Sequence, residues 1–290
     1  MLKKQLTRFL YERYFSGLFF LRREEGTSYL ANPADHALLY SLQQANQGCG
    51  YFEEGWHVVD LDNEHHLFVN KDSLTLWVSR EFHLHPDHQH AEVGNIVSIR
   101  WPSARPFSSP GFYMALSNRP WRGMSGNIVR LYFNTCLEGA IPLMREITGR
   151  LNEVGIGFRF KICSHPKYYV RRDTAVLYIS REDYLVAKET VATIHRNLRN
   201  IFSIEAPPFT KFLLPGLALA EDPHHNQGEI ESFGWHRSRL LAEGLLAAYE
   251  THRNNASGRL NLMIQRILEE GLKLDCFYLN PGNDDIYEWN

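Results

Sequence analysis

Three segments of the chain decide its fold, and they read NIVRLYFN (127–134), GIGFRFKI (155–162) and RRDTAVLYI (171–179). Each alternates apolar residues with polar ones, and a period of two predicts a β-strand with two different faces. Val129, Leu131 and Phe133 are expected to face a core. Arginine and lysine side chains are then expected on the opposite face. Together the strands predict a sheet that gathers cations on one face, which suits an anion.

The composition is typical of a globular protein. A chain of 290 residues, with 44% hydrophobic and 22% charged residues, can bury a core as one large domain or two small ones. Its formal charge of -2 gives no global attraction to nucleic acid or to acidic membranes. Any anion site must therefore be a local cluster. We expect an N-terminal helical segment (1–50), an α+β domain (51–280) and a tail (281–290), all in one compact unit.

The cysteines and the N-terminal segment indicate a cytoplasmic protein. The four cysteines contain no C-x-x-C pair, which argues against zinc ribbons and disulfide scaffolds and fits a reducing cytosol. The N-terminal segment is closed by two arginines after a short apolar run, GLFFL. It predicts an amphipathic helix docked on the surface rather than a signal peptide or a membrane span.

The remaining elements predict an α+β fold with an antiparallel or mixed central sheet flanked by helices. Five short strands are expected between residues 51 and 117, separated by turn residues. Apolar spacing predicts helices over 137–154 and 182–198. Residues 1–46 are expected to be helical with a break at Asn32-Pro33, and FLLPGLALAEDPHH (212–225) is expected to be irregular. Two later helices begin near Ser232 and Ser257; Ser257 is a candidate N-cap and Gly271 a candidate C-cap.

A histidine-rich segment suggests a metal site, but we expect none. His83 and His85 form an H-x-H pair that could bind a metal with a carboxylate. Glu92 lies seven residues after His85, further than such a pair requires, and no later histidine completes the set. The sequence also lacks a G-x-S-x-G elbow, a phosphate-binding P-loop and a G-x-G-x-x-G fingerprint. Its aromatic residues have core-like spacing, so no nucleic acid partner is expected.

The cations remain as the candidate site. Those on or beside the strands are Arg130, Lys161, Arg171 and Arg172, and those that open the helix near Ser232 are His236, Arg237 and Arg239. Arginine can donate two hydrogen bonds to a phosphate, and a helix start adds free N–H groups. The alternative is that these side chains form salt bridges with Asp173, Glu231 and Glu243 or lie in solvent. Lys161, between two apolar residues, is expected to be part-buried, which lowers a lysine pKa towards the range of a general base.

Four motifs carry a resemblance to a known family: R-L-Y-F-N at 130–134, F-R-F-K at 158–161, R-x-D-x-A-V-L-Y at 171–178, and S-F-G-x-H-R at 232–237 with A-E-G-L at 242–245. In this order, over roughly residues 50–275, the chain resembles the HopA-type family. That family comprises type III secretion effectors and bacterial relatives that serve as lyase subunits in class V lanthipeptide and thioamitide biosynthesis. Its fold is similar to that of the phosphothreonine lyases. The resemblance makes secretion as an effector an option, although no signal peptide indicates it.

The resemblance implies a phosphoserine/phosphothreonine lyase. A phosphotransferase-like kinase phosphorylates a precursor peptide, and the lyase eliminates phosphate to leave dehydroalanine or dehydrobutyrine. The reaction needs a base for the Cα proton, cations for the phosphate and an acid for the leaving group. It requires no metal and no cofactor. The alternative is a non-catalytic effector that binds a protein partner.

The resemblance also implies roles for individual residues. Lys161 matches the base. The phosphate ligands are Arg130 and one of Arg171 or Arg172, with Arg237 and Arg239 as further cations, and the supporting residues are Tyr132, Asn134 and Asp173. Related lyases use a histidine in a K-F-H pattern as the acid, but the corresponding strand here carries Tyr113. Either Tyr113 donates the proton, or His236 donates it, or the acid step is lost.

Overall fold

The structure is a computed structural model that describes residues 1–18, 35–123, 127–224 and 231–289. The helices are α1 (Leu2–Leu10), α2 (His36–Ala45), α3 (Arg80–His83), α4 (Ala140–Glu153), α5 (Tyr184–Asn197), α6 (Phe233–Glu250) and α7 (Ala256–Glu269). A π-helical turn, Tyr11–Phe15, continues α1. The strands are β1 (Tyr51–Leu61), β2 (His66–Lys71), β3 (Leu74–Ser79), β4 (Ile96–Trp101), β5 (Phe112–Leu116), β6 (Ile128–Phe133), β7 (Phe158–Cys163), β8 (Ala175–Ser180), β9 (Lys211–Leu214) and β10 (Leu217–Glu221).

The strands form two antiparallel sheets. The smaller sheet has the order β3-β2-β1-β4, and it encloses its own apolar cluster around Trp56, Leu67 and Val97. The larger sheet has the order β5-β7-β8-β6-β10-β9. The predicted strand–helix–strand unit is β6, α4 and β7. Its two strands are not neighbours in the sheet, because β8 lies between them and pairs antiparallel with both. The α+β class and the helix-flanked antiparallel sheet are therefore confirmed.

One face of the larger sheet carries the main core, as the alternation predicts. Val129, Leu131 and Phe133 are fully buried there, and Phe160 of β7 joins them. Helices α4 and α5 cover this face, because each places apolar residues three or four positions apart towards the sheet. The opposite face is left for the polar side chains of the same strands.

That opposite face is covered by the N-terminal segment and by α6. Phe15 packs against Tyr132 of β6 and Phe233 of α6 in a second apolar cluster. Gly234 allows this contact, because a Cβ atom there would lie 2.4 Å from the Phe15 ring. Helix α7 approaches α6 at Gly244, where an added Cβ would lie 2.5 Å from the Met263 Cα.

The structure corrects two sequence predictions for the C-terminal half. The stretch expected to be irregular contains the hairpin β9–β10, whose turn places Gly216 at a φ of +66°. Its continuous apolar run LALA forms β10, a strand buried on both faces. A strand of this kind shows no alternation of apolar and polar residues, so the sequence pattern did not predict it. The N-cap of α7 is Asn255, which accepts a hydrogen bond from the Gly258 N–H at 2.7 Å, rather than Ser257.

Other boundaries agree with the sequence patterns or fall outside the described ranges. Helix α6 begins directly after Ser232, close to the predicted start, and the Ser232 hydroxyl caps it by accepting from the Trp235 N–H. The predicted break at Asn32-Pro33 lies outside the described residues. In the segment expected as a tail, Tyr287 is fully buried beside Tyr184 and donates to a Glu221 carboxylate oxygen at 2.6 Å. In the part of the chain that the structure describes, no helix is long and apolar enough to cross a membrane.

Candidate functional site

The polar face of the larger sheet brings the predicted strand cations together. Arg130 of β6 pairs in register with Tyr178 of β8, which pairs on its other side with Arg159 of β7. Lys161 lies two residues along from Arg159 and therefore on the same face. The Arg130 guanidinium lies 5.0 Å from the centre of the Tyr178 ring, and the Lys161 ammonium lies 5.6 Å from it. Tyr178 is thus the centre of a cationic row.

Lys161 is half-buried between aromatic rings. Its ammonium lies 4.7 Å from the centre of the Phe112 ring, which is a cation–π distance. Burial lowers the pKa of Lys161, but Tyr178, which accepts a hydrogen bond from it, and Tyr11 raise the pKa by more. The net pKa lies above its ordinary value, so the sequence prediction of a lowered pKa is wrong. Lys161 is a cation at neutral pH.

Arg130 is buried and forms an ion pair with Asp222, which follows β10. Burial lowers the pKa of Arg130, but Tyr178, Asp222 and Tyr132 raise it by more. The Arg130 side chain also forms a hydrogen bond with the buried Tyr132 hydroxyl. Arg130 is therefore a buried cation that already has both a carboxylate and a hydroxyl as partners.

The two other predicted strand arginines are committed to carboxylates. Arg171 donates to both oxygens of Asp173, at 2.8 and 2.9 Å, and also to the Tyr11 hydroxyl at 3.3 Å. Arg172 donates to Glu205 at 2.7 Å and to the Tyr14 carbonyl at 3.0 Å. For these residues the salt-bridge interpretation holds, and they fasten the N-terminal segment. Asn134 has a similar structural role, because its amide donates to the Glu205 carbonyl at 3.1 Å.

The N-terminal segment is therefore part of the site. Tyr11 stacks on Phe15 and reaches Arg171, while Leu18 packs on Cys163 and Tyr168. Burial raises the pKa of the Tyr11 phenol, and Asp173 adds to this effect. With the N-terminal segment in place, the Lys161 side chain is half-buried and still partly accessible to solvent. The sequence predicted a docked surface helix but not that it would lie over the cationic face.

Tyr113 does not share a site with Lys161. In the β5–β7 pairing, Met114 lies opposite Lys161, and Tyr113 lies opposite Ile162. Tyr113 therefore points into the main core, where it is 1% exposed and its hydroxyl accepts from Asn46 at 3.3 Å. Because Tyr113 is on the other face of the sheet, the structure contradicts its placement as the acid for Lys161.

The cations of α6 belong to the contact between α6, α7 and the C-terminal segment. Arg237 is 1% exposed and donates to the carbonyls of Phe277 and Leu279, each at 2.9 Å. Arg239 donates to Glu231 and Glu243, as its salt-bridge interpretation predicted. These residues therefore hold the helices together, and neither contacts Lys161.

His236 is a neutral structural residue. Its Nδ1 contacts the Arg237 guanidinium at 2.8 Å, and its Nε2 lies 3.4 Å from Glu270. Burial and the neighbouring arginines lower the pKa of His236 to about 4. A histidine with that pKa is uncharged at neutral pH, so the imidazolium form that acts as a general acid is scarce there. Its predicted role as the acid therefore lacks support from its surroundings.

The histidine-rich segment forms backbone contacts on the smaller sheet. The Nδ1 atoms of His83, His85 and His88 accept from the backbone N–H groups of Ser79, Asp87 and Ser98. His83 also lines an open cleft of about 330 Å³, together with Cys49 and Arg100. Across the described ranges, no group of three or more histidine, cysteine or acidic residues has the arrangement of a metal site.

Sequence reasoning placed Arg159 on the same strand face as Lys161 but did not assign it to the site, and it missed Tyr178. Tyr178 closes the motif R-x-D-x-A-V-L-Y, and its position facing Arg130 could have been derived from the alternation of β8. Arg159 precedes Lys161 by two residues, which is the spacing of one strand face. Tyr11 gave no such signal, because its contact with Arg171 joins positions 160 residues apart.

Comparisons with known proteins agree with this architecture. Two solved structures of effector proteins from Pseudomonas syringae are similar in fold. The one from pathovar tomato strain DC3000 has 16% identity and a TM-score of 0.50, and the match covers 96% of this chain and 97% of that one. The one from pathovar syringae strain 61 has 15% identity and a TM-score of 0.53, over 94% and 88% of the two chains.

The sequence profile of one family covers the larger sheet and its helices. Among curated proteins, none matches the sequence significantly. The profile of the HopA1 effector protein family matches residues 103–279, which begin just after the smaller sheet and end before the buried Tyr287. The match spans more than half of the chain. The chain belongs to the HopA1 effector protein family.

Proposed function

We propose that this protein eliminates phosphate from phosphorylated serine or threonine in a peptide. The observation that carries the proposal is the contact between Lys161 and Tyr178 beside the buried cation Arg130. An anionic phosphate oxygen is the acceptor that charged donors of this kind favour. No metal or cofactor takes part in the proposed reaction, and a kinase partner would supply the phosphorylated precursor peptide.

The elimination divides between two side chains. Neutral Lys161 takes the Cα proton, and the electrons of the broken Cα–H bond form the Cα–Cβ double bond. The Cβ–O bond breaks, and the phosphate leaves with the electron pair of the Cβ–O bond. Tyr178, which faces both Lys161 and Arg130, replaces Tyr113 as the proposed proton donor to the leaving group. The dehydrated peptide and inorganic phosphate are the two products.

The raised pKa of Lys161 predicts the pH dependence of this activity. A general base must be unprotonated, and the neutral fraction of Lys161 rises tenfold per pH unit below its pKa. Phosphate release should therefore increase from neutral to alkaline pH without a maximum near pH 7. A maximum near neutral pH would contradict Lys161 as the base.

Phosphate release from a phosphoserine peptide tests the proposal, with the loss of phosphoric acid followed by mass spectrometry. Lys161→Met should reduce the rate by roughly 100-fold or more, and Tyr178→Phe by roughly 10- to 100-fold, because each removes one proton transfer. The exposed Lys273 gives the matched control, and Lys273→Met should be fully active. If the unmodified chain leaves the peptide intact at every pH, the proposal is wrong.

A second function is favoured by the ion pairs. The N-terminal segment covers the polar face of the larger sheet. Ion pairs with carboxylates occupy Arg130, Arg171, Arg172 and Arg239. This arrangement suits a non-catalytic effector that keeps the fold and binds a protein partner. A chain that binds a host or bacterial protein with equal affinity before and after Lys161→Met, and releases no phosphate, would establish that alternative.

A further inference from the structure

Two exposed arginines next to the candidate site differ from the paired ones. Arg159 lies on the polar face beside Tyr178, and Arg105 lies in the segment between β4 and β5. Both side chains are exposed, and neither forms an ion pair with a carboxylate among the described residues. An arginine at the surface of a cationic face, with its donors available, can receive an anion from outside the protein.

The backbone places the two arginines on the same face of the larger sheet, one on each side of strand β5. The Arg105 N–H donates to the Met114 carbonyl at 2.8 Å, and Met114 is the residue opposite Lys161. Arg159 pairs with Leu116 on the same strand, β5. The segment before β5 and strand β7 therefore bring Arg105 and Arg159 to either side of one strand. Arg105 is close enough to add to the effect of burial in lowering the pKa of Arg159.

Aromatic rings hold both guanidinium groups in place. The Arg159 guanidinium lies 4.9 Å from the centre of the Trp121 ring, and that of Arg105 lies 5.6 Å from Trp101. Stacking on a ring leaves the edge of the guanidinium, with its N–H donors, open to an acceptor. Two like charges held together without a carboxylate cost free energy that a bound anion would recover.

We propose that Arg105 and Arg159 form a subsite for an acidic side chain next to the phosphorylated residue of a peptide. The inference rests on the proposed function, since the phosphorylated residue itself is assigned to Lys161, Tyr178 and Arg130. Arg159 is adjacent to Tyr178 across the strand pair and two residues from Lys161, so a peptide crossing this edge contacts both places. The subsite makes acidic peptides the preferred substrate class.

Binding of two matched phosphoserine peptides to the full chain tests the subsite by fluorescence anisotropy. One peptide carries glutamate on both sides of the phosphoserine, and the other carries glutamine at the same positions. The glutamate peptide should bind roughly ten-fold tighter, an effect of one or two charge-assisted hydrogen bonds. This preference should shrink as the salt concentration rises.

Substitutions identify the residues responsible. Arg105→Met and Arg159→Met keep an apolar stem on each tryptophan and should each reduce the preference for glutamate, and the double variant should abolish it. Arg159→Lys keeps the charge without the planar fork and should retain part of the preference. Arg145, an exposed arginine of α4, is the matched control, and Arg145→Met should bind like the unmodified chain. Thermal unfolding confirms that each variant is folded.

The outcomes separate the subsite from the reaction. Equal affinity of the unmodified chain for both peptides overturns the subsite, and so does a preference that survives in the double variant. Phosphate release is measured on the same samples. A chain that prefers the glutamate peptide through these arginines but releases no phosphate supports the subsite and refutes the lyase proposal. A chain that releases phosphate equally from both peptides and binds them with equal affinity supports the lyase proposal and refutes the subsite.

Discussion

Arg130 shows that the role of a cationic side chain depends on its burial, which the sequence does not give directly. The sequence suggested an arginine available to phosphate, whereas the structure buries it against Asp222. In this position the guanidinium balances a buried carboxylate and contacts the Tyr132 hydroxyl. Substituting Arg130 therefore tests stability before it tests binding.

Arg130→Met should lower the free energy of unfolding by about 3–5 kcal/mol, because it removes the cation that the buried Asp222 faces. Urea denaturation measures this loss. Arg172→Met is the matched control, since the Glu205 that it contacts is 60% exposed, and it should cost about 1 kcal/mol or less. The double variant Arg130→Met/Asp222→Leu should recover much of the loss. Equal stability of Arg130→Met and the unmodified chain would contradict the buried pair.

The lowered pKa of His236 predicts that the folded chain loses stability in acid. Its pKa of about 4 in the folded chain lies below its ordinary value of 6.5, so the unfolded chain binds a proton first as the pH falls. Stability is thus unaffected by His236 above about pH 6.5 and decreases between pH 6.5 and 4, by on the order of 2 kcal/mol. Urea denaturation across this range should show a smaller decrease for His236→Gln. His90→Gln, at an exposed histidine, should follow the unmodified chain.

The N-terminal segment depends on one small residue of α6. Phe15 occupies the space that a Cβ on Gly234 would fill, so the cover and α6 fit together only without that atom. This fit links the first helix to a helix that begins more than two hundred residues later in the chain. The segment and the polar face that it covers are therefore one packing unit.

Gly234→Ala should displace Phe15 and lower the free energy of unfolding by about 1–3 kcal/mol, a typical effect of overpacking. Limited proteolysis should then cleave within residues 1–18 while the rest of the chain stays folded. Gly149→Ala is the matched control in α4, where the nearest atom to an added Cβ is 3.7 Å away. There the better helix propensity of alanine should raise stability by up to about 1 kcal/mol. A Gly234→Ala chain as stable and protease-resistant as the Gly149→Ala chain would show that Phe15 does not need this space.

Strand alternation predicted the larger sheet well where the two faces differ in chemistry. In β7 the apolar and cationic residues alternate, and burial follows the pattern up to Ile162. In β6 the chemistry alternates but both faces are buried, because the N-terminal segment and α6 cover the polar face. In β5 both sets, Phe112 with Met114 and Tyr113 with Ala115, are apolar, so the pattern cannot tell which set faces the core. The assignment of Tyr113 to the site was wrong for this reason. It depends on the register with β7, which sequence alone does not determine.

Across the whole molecule, the fold class, most helices and eight of the ten strands follow from local patterns. The cationic face followed from them too. What could not be predicted are the contacts between distant segments: the ion pairs that occupy the arginines, the cover over Lys161, and the proximity of Arg105 to Arg159. Each depends on how separate elements pack, whereas periodicity reports only on one element at a time. The family resemblance supplied the fold but not these pairings.

The closure of the polar face also bears on how the chain folds. The Arg172–Tyr14 and Lys3–Glu243 contacts join residues that are 158 and 240 positions apart. Contacts of this kind require a large loss of chain entropy before they contribute any stabilisation, and proteins rich in them fold slowly. The sheet can assemble through its nearer strand pairs first, with its cationic face still open to solvent. Covering Lys161 is then a late folding event, so a nearly folded chain would pass through a stage at which this face is accessible.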